Sequence, residues 1–194
     1  ETPESRAIYE AAKCYYIAGF FLTVSVDSLK VVAEHALLAG KPFCLNLSAP
    51  FIVDFFGDQV ATALEYADYL FCNESEAAAY GKKHGLGEDV KEVALKVAAS
   101  PKKGGKPRTV VFTQGSSPTI VARDGTVTEY PVTMLPKEAL VDTNGAGDAF
   151  VGGFLAAMLV GKEVKDCVEA GHFAARFIIQ QSGCTLDKPC ELKL

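Results

Sequence analysis

Residues 141–154 read VDTNGAGDAFVGGF and carry the residue types of a phosphoryl-transfer site. Gly145, Ala146 and Gly147 are consecutive small residues at the start of an apolar helix pattern, so their backbone N–H groups are unobstructed and lie at the positive end of the helix dipole. Such groups form an anion hole for a transferring phosphoryl group. Asp148 follows in the first helical turn, where it can take a proton from an attacking hydroxyl. An anion hole beside a base is the minimum that a kinase requires.

The same turn also has a purely structural interpretation. Asn144-Gly145 is a common turn dipeptide, and the helix dipole alone favours an acid in a first turn. Two other phosphate motifs are absent, because a dinucleotide fingerprint needs glycine where Phe150 stands and a Walker loop needs lysine after its last glycine. The residues of this segment alone leave both interpretations open.

A second candidate site follows the apolar run YLFC. Asn73 and Glu76 have the spacing of a helix capping box. The same pair could hold Mg²⁺ partly through water, since Mg²⁺ keeps waters and ligands bind at the carboxyl ends of parallel strands. One pair can do both. Thr113 and Gly115 bound another turn at a strand end, which is either a nucleotide contact or a plain turn.

The composition limits the class of protein. The chain has 194 residues, 49% of them hydrophobic, which predicts one domain or most of one. A net charge of −5 disfavours nucleic acid and anionic membranes as partners. Six cysteines without C-x-x-C spacing, among them Cys14, Cys44 and Cys72 in apolar runs, predict free buried thiols in a reducing compartment. Every apolar run is too short to span a bilayer, and we expect a soluble protein that is not secreted.

Strand and helix patterns alternate along the chain, and the strands are apolar throughout. This predicts an α/β fold with a mostly parallel sheet that is covered on both faces. The segment KEALV before the glycine turn is predicted to end a strand, and Asp124-Gly125 to form a hairpin turn. Residues 100–108, SPKKGGKPR, are predicted to be a solvated connector rather than a phosphate-binding loop. The helix start at Thr2-Pro3 indicates a piece of a longer protein.

Several motifs together resemble a known family. DTNGAGDAFVGGFL resembles the signature of the ribokinase-like carbohydrate kinases, and YIAGFFLTVS, LNLSAPF, FCNESEA, FTQG and AGHFAARFIIQQSGCT are similar to segments of the members that act on adenosine. The resemblance implies a three-layer α/β/α fold and ATP-dependent, Mg²⁺-requiring phosphorylation of the adenosine 5′-hydroxyl, giving AMP and ADP. It further implies a role in purine salvage and a cytoplasmic location, with the nucleus as an alternative.

The resemblance also implies roles for individual residues. Asp148 matches the catalytic base, and the amides of residues 145–147 match the anion hole. Asn73 and Glu76 match a motif that organises Mg²⁺ and phosphates. Phe20 and Phe51 align with aromatic residues of the nucleoside pocket, although their sequence context alone predicts core residues. Asn144, His172, Thr113 and Gly115 fall where the family binds its nucleotides; for His172, taken alone, a structural role is the alternative.

The resemblance covers only the C-terminal part of such a kinase, somewhat over half. The residues would then form the C-terminal part of the large α/β domain, with the ATP and phosphate sites and the base but without the lid. The isolated chain is therefore predicted to be a poor or inactive kinase with an exposed apolar sheet edge. Two alternatives remain: a kinase of the same family acting on a sugar, and a non-catalytic nucleotide-binding scaffold. Asp148 disfavours the scaffold, which needs no base.

Overall fold

The structure, a computed structural model, describes residues 2–184 and 190–191. Its helices are α1 (Pro3–Ala11), α2 (Val26–Leu38), α3 (Pro50–Phe55), α4 (Gly57–Leu64), α5 (Glu74–Lys83), α6 (Val90–Ala99), α7 (Ala146–Leu159) and α8 (Val164–Ile178). Its strands are β1 (Tyr15–Ala18), β2 (Phe43–Asn46), β3 (Tyr69–Asn73), β4 (Thr109–Gln114), β5 (Ser117–Arg123) and β6 (Thr126–Tyr130). Short 3-10 helices span Gly19–Thr23 and Lys137–Ala139. Thr185, the last residue of one motif named above, lies outside the described residues.

The six strands form one sheet in the order β1-β2-β3-β4-β5-β6. The first four are parallel, with Ala18 beside Asn46 and Asn73 beside Thr113, so their carboxyl ends lie along one edge. Two-residue connections join β4 to β5 and β5 to β6, and connections this short join only antiparallel strands. The second contains Asp124 and Gly125 at φ 51° and 74°, as a type I′ hairpin requires. The predicted α/β fold with a mostly parallel sheet is confirmed, and so is the hairpin.

The described residues divide into two compact units. One contains the chain up to Thr113 together with Ile120–Glu129, and the other contains Gln114–Thr119 and the chain from Tyr130 onward. In the first unit, alternate strand residues and the facing sides of the helices form one buried cluster. Its strand members include Phe43, Leu45, Leu70, Cys72, Val110 and Phe112, and its helix members include Leu29, Ala33, Val93, Ala94 and Val97. Burial of this apolar surface stabilises the unit that carries the parallel strands.

In the second unit, α7 and α8 pack closely because glycines lie between them. Gly153 faces the backbone of Ala170, and a side chain at Gly153 would collide with its carbonyl. A Cβ at Gly171 would lie 2.7 Å from the ring of Phe150. These contacts hold the middle of α7 against the middle of α8.

The strand predicted for KEALV was wrong. Lys137–Ala139 is a 3-10 turn, and Leu140 and Val141 are about half exposed. The N–H of Val141 donates to the carbonyl of Ile179 at 2.9 Å. The segment therefore bonds to the end of α8 instead of a neighbouring strand, and the glycine turn links a loop to a helix.

The solvated connector predicted for residues 100–108 is partly wrong. Gly104 and Lys106 are exposed, but Lys102 is partly buried, with its side chain 8% exposed, and pairs with Asp68 at 2.9 Å. Arg108 is 1% exposed. Its guanidinium donates to carbonyls at the ends of two helices, Leu64 of α4 at 2.5 Å and Val97 of α6 at 2.6 Å, and to that of Ala67 at 3.2 Å. Helix C-termini present carbonyls without intrahelical partners, and Arg108 satisfies two sets of them.

The cysteines behave as the sequence predicts for Cys44 and Cys72, which are free and buried. Cys14 is partly buried with its Sγ 3.7 Å from that of Cys44, whereas Cys184 and Cys190 are exposed. Among the helices that the structure describes, none has the length and apolar character to cross a membrane.

Candidate functional site

The glycine turn opens α7 as predicted. Gly145 is the N-cap residue at φ 76°, a left-handed conformation that glycine adopts without strain, and no side chain among the described residues caps the helix. The N–H of Ala146 donates weakly to the carbonyl of Thr143 at 3.3 Å. The uncapped donors of the first turn are therefore those that follow, at Gly147 and Asp148. An anion is the partner that such a helix start favours.

Asp142 holds this turn in place, a role that the sequence reasoning missed. Its Oδ1 accepts from the N–H of Asn144 at 2.9 Å and its Oδ2 from the N–H of Gly183 at 3.1 Å. The Asn144 N–H, and then the Gly183 N–H, hold the pKa of this carboxyl below its usual range. An ionised Asp142 thus joins the turn to the chain that follows α8. Only the first contact has a sequence signal, because aspartate commonly accepts from the N–H two residues on.

Asp148 is exposed in the first turn of α7, on the same turn as Gly147. Its carboxylate is accessible to a hydroxyl donor, as a base requires. Cys184 lies at the other side of the turn, where a Cβ built on Gly145 would be 2.6 Å from its Sγ. The structure therefore brings together the predicted base and the amides of residues 145–147.

Asn73 and Glu76 form the capping box at the start of α5. Asn73 Oδ1 accepts from the N–H of Glu76 at 2.9 Å, and Glu76 Oε2 accepts from the N–H of Asn73 at 3.0 Å. Asn73 Nδ2 also donates to Glu76 Oε1 at 2.8 Å, and Glu76 is 4% exposed. The described residues contain no group of three or more His, Cys, Asp or Glu placed to hold a metal ion. The pair is confirmed as a cap, and it fits Mg²⁺ only if water supplies most of the ligands.

Thr113 lies beside Asn73 at the carboxyl edge of the sheet, because the two are register partners of β3 and β4. Its Oγ1 lies 3.5 Å from the carbonyl of Cys72. Gly115 adopts φ 54° in the tight turn after β4. These positions agree with both interpretations, and the nucleotide contact stays a prediction.

His172 faces the interior of its unit. It is 8% exposed, its Nε2 lies 2.8 Å from Thr119 Oγ1, and its ring lies 5.5 Å from that of Phe150. Burial, and then the nearby Arg176, lowers the pKa of His172, so the ring is neutral near neutral pH. A structural role accounts for these contacts, and the predicted nucleotide contact is not tested by them.

Phe20 and Phe51 are not core residues, contrary to their sequence context. They are 52% and 43% exposed, and their rings lie 5.9 Å apart at an interplanar angle of 55°. Phe20 is in the 3-10 helix after β1, and Phe51 is in the first turn of α3 after β2. Both therefore lie just beyond the carboxyl ends of neighbouring parallel strands, where ligands bind in α/β sheets. A pair of exposed aromatic faces suits a flat apolar ring.

Each unit thus carries part of the chemistry. In the first, the carboxyl edge from β1 to β4 presents the aromatic pair, the capping box and Thr113. In the second, the start of α7 presents the uncapped amides and Asp148. Aromatic contact, water-mediated metal binding, anion binding and proton abstraction are the functions that these groups can perform.

Comparison with known proteins gives relatives over nearly the whole chain. Adenosine kinase 1 of Arabidopsis thaliana is 54% identical over 190 residues, which cover 96% of this chain and 55% of that protein. Adenosine kinase of Dictyostelium discoideum is 48% identical over 187 residues, which cover 96% of this chain and 55% of that protein. The chain thus spans little more than half the length of these curated relatives.

Solved structures agree with these relatives. Adenosine kinase of Anopheles gambiae superposes with a TM-score of 0.92 at 46% identity, covering 96% of this chain and 56% of that one. Adenosine kinase of Schistosoma mansoni in complex with adenosine and AMP superposes with a TM-score of 0.90 at 36% identity, covering 97% of this chain and 56% of that one. The model of the family described as pfkB family carbohydrate kinase matches residues 1–190. The predicted ribokinase-like fold is confirmed, and the chain belongs to the pfkB family of carbohydrate kinases.

Proposed function

We propose that this chain is the C-terminal part of the large α/β domain of a kinase that transfers a phosphoryl group from ATP to the 5′-hydroxyl of adenosine, giving AMP and ADP. The observation that carries the proposal is the start of α7, where Asp148 stands in the same uncapped turn as Gly147. Curated relatives of 41–54% identity, all named adenosine kinases, support adenosine as the acceptor.

Asp148 is the proposed base. Its carboxylate accepts the proton of the 5′-hydroxyl as the hydroxyl oxygen attacks the γ-phosphorus of ATP. The bond from that phosphorus to the leaving oxygen of ADP breaks, so AMP and ADP form and the proton stays on Asp148 until it passes to water. The N–H groups that open α7 donate to the phosphoryl oxygens, where charge concentrates in the transition state.

The proposed substrate contacts lie along the carboxyl edge of the sheet and at the glycine turn. Phe20 and Phe51 pack against the adenine ring of adenosine, which buries apolar surface. Thr113, Gly115 and Asn144 contact the nucleotide phosphates or ribose. For His172 the predicted nucleotide contact competes with a supporting role, because the ring is buried against Thr119 and Phe150.

Asn73 and Glu76 would hold Mg²⁺ through water. Bound there, Mg²⁺ would neutralise charge on the phosphates of ATP. The chain's own contribution is to keep the Glu76 carboxylate in one orientation, which the two hydrogen bonds from Asn73 achieve. We further propose a role in purine salvage and a cytoplasmic location, with the nucleus as the alternative.

The test is phosphate transfer from ATP to adenosine by the full-length parent protein with saturating Mg²⁺. We expect Asp148→Asn to lower kcat by about 10²- to 10⁴-fold with little change in KM, because the base acts only in the transition state. Asp166→Asn is the matched control, since Asp166 is an exposed acid in the first turn of α8.

Other outcomes separate the alternatives. Phosphorylation of a sugar but not of adenosine would keep the family chemistry and reject the substrate. Nucleotide binding without any turnover would favour the scaffold. Unchanged kcat in Asp148→Asn would reject Asp148 as the base.

A further inference from the structure

The end of α3 is capped by a lysine that is distant in sequence. Helix α3 spans only six residues, and the helical conformation is interrupted at Phe56 (φ −120°, ψ 35°) before α4 begins at Gly57. Such a break leaves the last carbonyls of a helix without intrahelical partners. Lys83 Nζ donates to two of them, the carbonyls of Val53 at 2.5 Å and Asp54 at 2.9 Å. A cation at a helix C-terminus is also favoured by the helix dipole.

Gly57 provides the space that this contact needs. A Cβ on Gly57 would collide with Lys83 Nζ and would lie 2.9 Å from its Cε. Any other residue at this position would require the ammonium group of Lys83 to shift. The helix break and the lysine therefore form one fitted arrangement.

Lys83 also connects two parts of the candidate site within one unit. It is the last residue of α5, the helix that begins with the capping box of Asn73 and Glu76. Helix α3 carries Phe51 in its first turn, four residues before Phe55, its last residue. A helix this short has little stability of its own, so its direction depends on the contacts at its two ends and on its buried side.

We propose that Lys83 is a positioning residue for nucleoside binding: by capping α3 from the end of α5, it fixes Phe51 opposite Phe20. This inference rests on the proposed function. Lys83 touches no substrate; it acts through the backbone of α3. Buried Ile52 and Val53 keep α3 on the core, so loss of the cap loosens the helix without detaching it.

The experiment uses the full-length parent protein with Lys83→Met, which keeps the aliphatic stem and removes the donors. We expect KM for adenosine to rise by about 5- to 10-fold, which corresponds to the net effect of losing one typical intramolecular hydrogen bond. We expect kcat and KM for ATP to stay within about 2-fold, because neither depends on Phe51. Lys83→Arg keeps charged donors and should therefore keep KM for adenosine close to the wild-type value. Lys82→Met is the matched control, since Lys82 is an exposed neighbour on the same helix.

Amide hydrogen exchange of residues 51–56 is a second readout that needs no turnover. Faster exchange in Lys83→Met than in Lys82→Met, together with the rise in KM, supports the proposal. Equal exchange in the two variants, or faster exchange with an unchanged KM, overturns it. If the parent ignores adenosine, the proposed function fails, and Lys83 is then judged by exchange and by KM for the acceptor that the parent does use.

Discussion

Substitution of Gly145 by alanine tests whether the shape of the glycine turn matters. Gly145 has φ 76°, and a Cβ there would lie 2.6 Å from Cys184 Sγ. Alanine in the left-handed region costs about 1–2 kcal/mol. Carbon atoms in ordinary contact are about 3.5–4.0 Å apart, so the new methyl group and the sulfur must separate by roughly 1 Å. Because Cys184 is exposed, its side chain can turn away, at about 0.5–1.5 kcal/mol for an unfavourable rotamer.

The sum, about 1.5–3.5 kcal/mol, must appear in one of two measurable quantities. If the turn keeps its shape, the free energy of unfolding of Gly145→Ala falls by that amount. If the turn relaxes, its N–H groups leave their positions and kcat/KM falls instead, by about tenfold for each 1.4 kcal/mol. Urea unfolding and ADP release by the full-length parent measure the two quantities side by side.

Two further variants separate the backbone and steric contributions. In a Cys184→Ala background, Gly145→Ala should lose only the backbone part, about 1–2 kcal/mol. Gly152→Ala is the control, because it lies on α7 with nothing within 4 Å of the added Cβ, and it should be neutral or slightly stabilising. If Gly145→Ala matches Gly152→Ala in both stability and kcat/KM, the argument from the turn is refuted.

Three more predictions follow from buried or capping groups. Arg108→Met should lower the free energy of unfolding by about 3–5 kcal/mol, because several buried carbonyls lose their donor; urea unfolding against exposed Arg123→Met checks this, and equal losses would contradict it. His172→Gln should lower stability by about 1–3 kcal/mol at unchanged KM for ATP, since Thr119 loses a partner; a higher KM at an unchanged unfolding midpoint would instead indicate nucleotide contact. Glu76→Gln should raise the Mg²⁺ concentration for half-maximal activity several-fold, whereas Glu92→Gln, in the first turn of α6, should not; the same Mg²⁺ response in both would leave Glu76 as a cap only.

The parts of the site that the sequence predicts are those made by neighbours in the chain. The capping box needs only Asn73 and the residue three positions later, and a helix start needs only small residues before an apolar pattern. Asp148 follows from its place in that first turn. These features depend on backbone geometry over a few residues, which local sequence controls.

The errors occur where a distant part of the fold decides the outcome. Leu140 and Val141 have the residue types of a strand, but the N–H of Val141 donates to the carbonyl of Ile179 instead of to a neighbouring strand. Phe20 and Phe51 have the residue types of a core, but the chain turns just beyond the sheet edge and leaves both rings half exposed. Neither outcome can be calculated from the flanking residues, because the competing partner lies elsewhere in the chain or is solvent.

Arg108 and Lys83 show why a charge pattern is an especially poor guide. Both belong to basic segments that resemble solvated surface, yet each places its cation on helix-end carbonyls: Arg108 on Leu64, 44 residues away, and Lys83 on Val53, 30 residues away. Every residue has a backbone carbonyl, so the sequence does not indicate which carbonyl accepts a hydrogen bond from the cation. What distinguishes these cations is the break or end of a helix within their reach, and for Lys83 the missing side chain at Gly57. Helix α3 carries Phe51, so the contact between Lys83 and the end of α3, which the sequence does not reveal, positions an aromatic residue that the sequence does identify. Substitutions at Lys83 and Gly57 should therefore affect KM for adenosine, as substitutions at Phe51 should.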